Sequence, residues 1–240
     1  MSQSILIKRE TQPKTPNLLS LNMPNVDVLF PGFAPGDFAV IYGSPSTDSL
    51  TSLLCVRAQL PSKLGGLNSN VVFIDGGDTF RTNKFFRFAK LQQVAIKQAL
   101  DNIHVFRVFT AYQMTQLIME RLQNIVEKYD ARVVVISDIS GLFLDRNIPD
   151  DEARRVFSQV VAYLQSFACR NQIILIATNS KVNSGSRSIS LKTAIISKAN
   201  VVLSLWQTMY DREFVLEKHP QLMLGSAEYP SENLPLTNFV

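Results

Sequence analysis

Cysteine and histidine are scarce in this chain. Its 240 residues include two cysteines and two histidines. Cys55 lies among Leu53, Leu54 and Val56, and Cys169 follows Phe167 and Ala168, so both read as buried helix positions. Neither has a second cysteine or a histidine at ligand spacing, so no metal site is expected. His104 sits in an alternating pattern and His219 precedes Pro220, and both read as structural. No stretch approaches the roughly 18 consecutive apolar residues of a membrane span. The opening Met1-Ser2-Gln3-Ser4-Ile5-Leu6-Ile7-Lys8-Arg9-Glu10 places its charges after a very short apolar patch. A secretory leader has the opposite order, so a cytoplasmic protein is expected. Solenoid-period repeats and low-complexity blocks are also missing.

What is present suits one folded α/β domain. Hydrophobic content is 46% and charged content 18%, which argues against disorder. The net charge of +4 and a pI near 9.1 are compatible with a nucleic-acid partner without establishing one. Residues 1–22 are polar and broken by Pro13 and Pro16, and read as a loosely held lead-in. Short apolar runs at 38–42, 70–75, 103–109, 132–138, 172–178, 200–206 and 212–217 read as strands. Helical periodicity is visible at 49–59, 83–100, 111–127 and 150–169. Runs such as Val133-Val134-Val135-Ile136 indicate strands covered on both faces. The alternation predicts a doubly wound, mostly parallel sheet over residues 23–221, closed by a C-terminal antiparallel hairpin. Residues 222–240, with Pro230 and Pro235, read as an irregular tail.

The segment Gly43-Ser44-Pro45-Ser46-Thr47-Asp48-Ser49-Leu50-Thr51 stands between a strand and a helix, where a G-x-x-x-x-G-K-[ST] phosphate loop belongs. Gly43 matches the first glycine. The second glycine becomes Asp48, the lysine Ser49 and the magnesium-binding hydroxyl Leu50. Thr51 carries a hydroxyl, but one helical step too far round. No basic residue occurs between Lys14 and Arg57. At an effective dielectric near 20, one charge contact at 4 Å is worth about 4 kcal/mol. Losing that attraction and adding Asp48 as a repulsion outweighs the roughly 4 kcal/mol of a millimolar complex. A tight turn capped by Thr47 or Asp48 onto a helix N-terminus is the expectation.

Two acidic strand ends follow. Val71-Val72-Phe73-Ile74-Asp75-Gly76-Gly77-Asp78 and Val133-Val134-Val135-Ile136-Ser137-Asp138 put carboxylates at the C-terminal edge of the sheet, where open α/β folds bind ligands. An acid such as Asp138 can hold Mg²⁺ beside a nucleotide. Taken with Phe30-Pro31-Gly32-Phe33, Gly36-Asp37, Thr79-Phe80-Arg81, Ile176-Ala177-Thr178-Asn179 and Lys218-His219-Pro220, these segments resemble the RecA/RadA recombinase superfamily, most closely its archaeal RadA-paralog branch. The resemblance spans residues 29–220 and implies a RecA-like P-loop fold. It also implies a Walker B role for Asp138. Active members carry a glutamate two residues after the aspartate matching Asp75, and Gly77 occupies that position here. Their sensor segment continues with glutamine, where this chain has Ser180. Asp75 and Asp78 are therefore read as vestigial, and no cofactor is expected.

After the sensor segment comes a serine-rich basic stretch, 180–192, with no acid between Lys181 and Lys198. In the resembled family this position holds a DNA-contacting loop. Lys181, Asn183, Arg187 and Lys192 are the candidate phosphate contacts, and the stretch has no aromatic residue for base stacking. Arg81, Lys84, Arg87 and Lys90 recur at three-residue steps, with Phe85, Phe88 and Ala89 turned inward, and read as a solvated stripe. The family also assembles through a linker strand, a part that Ser4-Ile5-Leu6-Ile7 could play. The resulting expectation is a paralog that no longer hydrolyses ATP, binds single-stranded DNA, a RadA-type recombinase or a sister paralog, and modulates recombinational repair. Two alternatives stand beside it: an ATPase whose cation comes from a neighbouring subunit, and a structural subunit of a hetero-oligomer without a nucleic-acid role.

Overall fold

Successive buried, mostly β-branched residues build the centre of the molecule. A computed structural model describes residues 17–179, 185–208 and 212–229. In chain order its elements are α1 (Pro24–Leu29), β1 (Phe38–Gly43), α2 (Ser46–Arg57), β2 (Asn70–Asp75), α3 (Thr82–Leu91), α4 (Ile96–Asp101), β3 (Ile103–Arg107), α5 (Ala111–Gln116), α6 (Leu122–Tyr129), β4 (Ala131–Ser137), α7 (Asp150–Asn171), β5 (Ile174–Asn179), α8 (Ser186–Lys198), β6 (Val201–Gln207), β7 (Arg212–Lys218) and β8 (Gly225–Glu228). The eight strands form one sheet in the order β3-β2-β4-β5-β1-β6-β7-β8. β1 to β6 pair in parallel, and β7 and β8 complete it antiparallel.

Helices cover both faces because alternate residues of each central strand point to opposite sides. Val40, Ile74, Val134 and Leu175 face the side of α7 and α8, where Phe157, Leu164, Leu191 and Ile195 meet them. Ile41, Phe73, Val135 and Ile176 face the side of α2 and α3, against Leu53, Leu54 and Phe85. Each fully buried side chain of this size contributes about 1.5–3 kcal/mol. The mostly parallel α/β sheet with antiparallel strands at its C-terminal end is the expected RecA-like architecture.

Several expected boundaries move. The lead-in is partly core: Leu19 and Leu21 are buried, and Leu19 bridges Phe33. Residues 1–16, including Ser4-Ile5-Leu6-Ile7, lie outside the described residues. The tail is not irregular throughout, since 225–228 adds the eighth strand against β7. The helix expected over 83–100 is two, separated where Gln93 takes φ +54, which interrupts the helical hydrogen bonding. Cys169 is exposed, not buried, although Cys55 is fully enclosed. The stretch from Ser186 is helix α8, not loop, because Ser188, Leu191 and Ile195 line one buried face. Among the described residues no helix is long and apolar enough to cross a membrane.

Candidate nucleotide and nucleic-acid sites

The turn after β1 is shorter than its template. β1 runs to Gly43 and α2 starts at Ser46, leaving Ser44 and Pro45 between them. Gly43 has φ +111, and a Cβ there would lie 2.3 Å from the carbonyl oxygen of Leu205, so only glycine fits. The backbone amides of the turn already have acceptors. Ser44 N–H donates to Leu205 O (2.7 Å) and Thr47 N–H to Ser44 O (3.0 Å). Ser46 N–H donates to Ser44 Oγ (3.3 Å) and Asp48 N–H to Pro45 O (3.3 Å). On the outer side the Ser46 hydroxyl donates to Gln207 Oε1 at the end of β6 (3.2 Å).

Neither Thr47 nor Asp48 caps the helix, contrary to expectation. Pro45 occupies the cap position without a side-chain bond, and the Thr47 hydroxyl turns back to Ser44 O (2.6 Å). Thr51 likewise donates to the carbonyl of Thr47 (3.1 Å) within its own helix. Ser49 is buried, and Leu50 belongs to the core. The nine residues of the candidate loop thus form a closed turn running straight into a helix.

At the edge made by β2, β3 and β4 the carboxylates have separate tasks. Asp75 is buried and organises the following turn: its Oδ1 accepts from Thr79 N–H (2.9 Å) and Ser137 Oγ (2.9 Å), and its Oδ2 from Phe80 N–H (3.3 Å). Asp78 is exposed and faces Arg81 (3.2 Å) and Arg107 (3.6 Å). The hydrogen bond from Arg81, then its charge, hold the Asp78 carboxyl below the usual range. Asp138 is buried, adopts φ +46, and its N–H donates to Thr178 Oγ1 (3.0 Å). Its side chain fits between two glycines. A Cβ at Gly141 would sit 2.2 Å from Asp138 Oδ2, and one at Gly77 would sit 2.7 Å from Asp138 Cβ. No side chain, glutamate included, fits at position 77 while Asp138 stays where it is. A cleft of about 500 Å³ opens beside these groups, with Arg107, Phe109, Thr110 and Leu142 on its walls.

A model of the Rad51 family matches residues 24–199. The chain belongs to the Rad51 family. A DNA repair and recombination protein RadA from Cenarchaeum symbiosum (strain A) is 28% identical over 102 residues, which is 42% of this chain. That alignment spans 25% of the RadA relative.

In this Rad51-family member two of the four expected nucleic-acid residues, Arg187 and Lys192, are described, and both meet partners within the protein. Lys181 and Asn183 lie outside the described residues. Arg187 is turned into the protein at the start of α8. Its guanidinium donates to the carbonyls of Asp145 (2.7 Å), Ile148 (2.7 Å) and Phe143 (3.3 Å) and pairs with Asp150. Those partners occupy the guanidinium fork within the protein, and the residue stands on helix α8 where a loop was expected. Lys192 sits with its ammonium 3.7 Å from the centroid of the Tyr42 ring, a cation–π contact. Arg81 at the cap of α3 and Arg87 and Lys90 along it are exposed, Lys84 is half-buried, and Phe85, Phe88 and Ala89 are buried, as the periodicity predicts.

Sequence reasoning missed the end of β6. Gln207 reaches the closed turn on one face, and Trp206 emerges half exposed on the other. The signal available was an indole at the exit of an otherwise buried strand, an unusual place for a large aromatic side chain.

Proposed function

We propose that this chain is a non-hydrolysing Rad51-family paralog that binds single-stranded DNA, a RadA-type recombinase or sister paralog, or both, and modulates homologous recombination and repair. The closed turn at Gly43–Asp48 carries the first half of the reading. A phosphate loop holds its ligand with free backbone amides and a lysine. Here the N–H groups of Ser44, Ser46, Thr47 and Asp48 are engaged within the chain, the loop's own sequence carries no lysine or arginine, and Arg81 lies within charge range of the Asp48 carboxylate. The enclosure of Asp138 by Gly77 and Gly141 supports the same reading, because it leaves no place for the glutamate that active relatives are expected to use. Family membership and the resemblance to a RadA repair protein support the role in recombination.

The test is equilibrium dialysis with Mg-ATP, alongside fluorescence anisotropy with labelled single-stranded DNA. No nucleotide binding tighter than about 1 mM is expected, together with salt-dependent DNA binding. Submillimolar ATP affinity or DNA-stimulated phosphate release would overturn the non-hydrolysing half. DNA binding absent at low salt would overturn the DNA-binding half.

A further inference from the structure

The end of β6 carries a structural feature that the closed turn and the acidic edge leave unexplained. Trp206 is 50% exposed, yet its indole is fixed in place. Nε1 donates to Ser204 Oγ (3.0 Å), Ser204 Oγ donates to Glu217 Oε1 (2.6 Å), and the Tyr42 hydroxyl donates to Glu217 Oε2 (2.6 Å). Burial and then the Glu217 hydrogen bond push the Tyr42 hydroxyl up, so it stays a donor. Lys192 closes the series above the Tyr42 ring, with no hydrogen bond or ion pair of its own among the described residues. A large aromatic surface in water costs free energy, and four ordered side chains hold this one there.

We propose that Trp206 is a stacking platform for an unpaired nucleobase, with the Lys192 ammonium placed to meet the adjoining phosphate. This rests on the DNA-binding half of the proposed function and goes beyond it by naming a contact. An indole face accepts any base, and a neighbouring cation adds attraction for the backbone. Spacing agrees with that pairing. Ser204 lies opposite Tyr42 in the β1–β6 register, and Trp206 is two residues further along, about 7 Å. Glu213 is the cross-strand partner of Trp206 on β7 and is exposed, so it repels phosphate on that flank. On the other flank the Glu217 carboxylate is taken up by the Ser204 and Tyr42 hydroxyls and is followed by the Lys192 ammonium, which makes that side the favoured path.

The chain has one tryptophan, so its intrinsic fluorescence reports this residue alone. Titration with oligothymidylate should quench that emission in step with the anisotropy of a labelled strand. Trp206→Ala should weaken binding about 5- to 100-fold, and Trp206→Phe should retain most of the affinity, with only a small drop in melting temperature from the lost bond to Ser204. Lys192→Ala should lower the salt slope by about one, and Glu213→Gln should tighten binding at low salt. Saturating anisotropy without quenching, and with Trp206→Ala binding like the parent, overturns the platform while leaving DNA binding intact. No binding by either readout overturns both. Quenching by an apolar partner protein but not by oligothymidylate assigns the indole to protein docking and overturns the proposal as well.

Discussion

Replacing Arg187 with alanine separates a structural arginine from a DNA contact. The side chain is 17% exposed and joins the start of α8 to the segment between β4 and α7. It donates to three backbone carbonyls, those of Phe143, Asp145 and Ile148, and meets the carboxylate of Asp150. A hydrogen bond involving a charged group is worth about 1.5–3 kcal/mol. Asp145 and Asp150 are exposed, so water replaces part of what is lost there. The Phe143 and Ile148 positions are buried, and their carbonyls recover less. A net loss of about 3 kcal/mol follows, or roughly 6–12 °C in Tm for a domain of this size. Arg187→Lys should recover only part of it, because an ammonium cannot span several acceptors as the planar fork does. Urea melts of both variants, with DNA affinity measured well below the midpoint, give the two readouts. A variant that melts like the parent yet binds DNA more weakly would refute this account and return Arg187 to the nucleic-acid surface.

Restoring the motif in name alone should fail: the double variant Asp48→Gly, Ser49→Lys should still show no Mg-ATP binding tighter than about 1 mM by dialysis, because α2 already begins at Ser46. Arg57, 1% exposed and donating to Ser20 O, Leu64 O and Gln92 Oε1, should cost about 3–5 kcal/mol when replaced by methionine, read by urea denaturation. His219 accepts N–H donors from Gln221 and Leu222 at Nδ1, and burial holds its pKa below 6.5 despite the charge of Asp37. The unfolded chain then binds the proton more readily, so stability is full above pH 6.5 and falls as pH drops through the folded value. His104 is lowered as well, by burial and then Lys128, and contributes with the same sign. His219→Asn keeps an acceptor and should flatten only its own share of that slope in pH-dependent melts.

The strands were legible because burial on both faces imposes unbroken apolar runs. Val133-Val134-Val135-Ile136 could be little else, and the pairing of β2 with β4 agrees. α8 was not legible as a helix because Ser184, Ser186, Ser188 and Ser190 mask the apolar spacing of Leu191 and Ile195. β8 reads Gly-Ser-Ala-Glu and is a strand through its backbone pairing with β7, which composition does not encode. At the candidate site the missing lysine was plain in the sequence, and the geometric reason was not. That α2 reaches back to Ser46, and that Gly77 is the room Asp138 needs, are facts about which backbones approach each other. The partners of Arg187 were hidden for a related cause: a charge in a basic run looks solvated until the carbonyls it faces are known.

The clasp around Arg57 also bears on the order of assembly. Ser20 N–H donates to Gly65 O, Ser20 O accepts from Arg57, and Leu19 pairs with Phe33. On the ribosome residues 19–21 emerge before all of those partners. Leu19 can pair with Phe33 as soon as that residue emerges, but Ser20 must wait for α2 and the turn at Gly65, so the segment is fixed in two steps and its grip on Arg57 comes last.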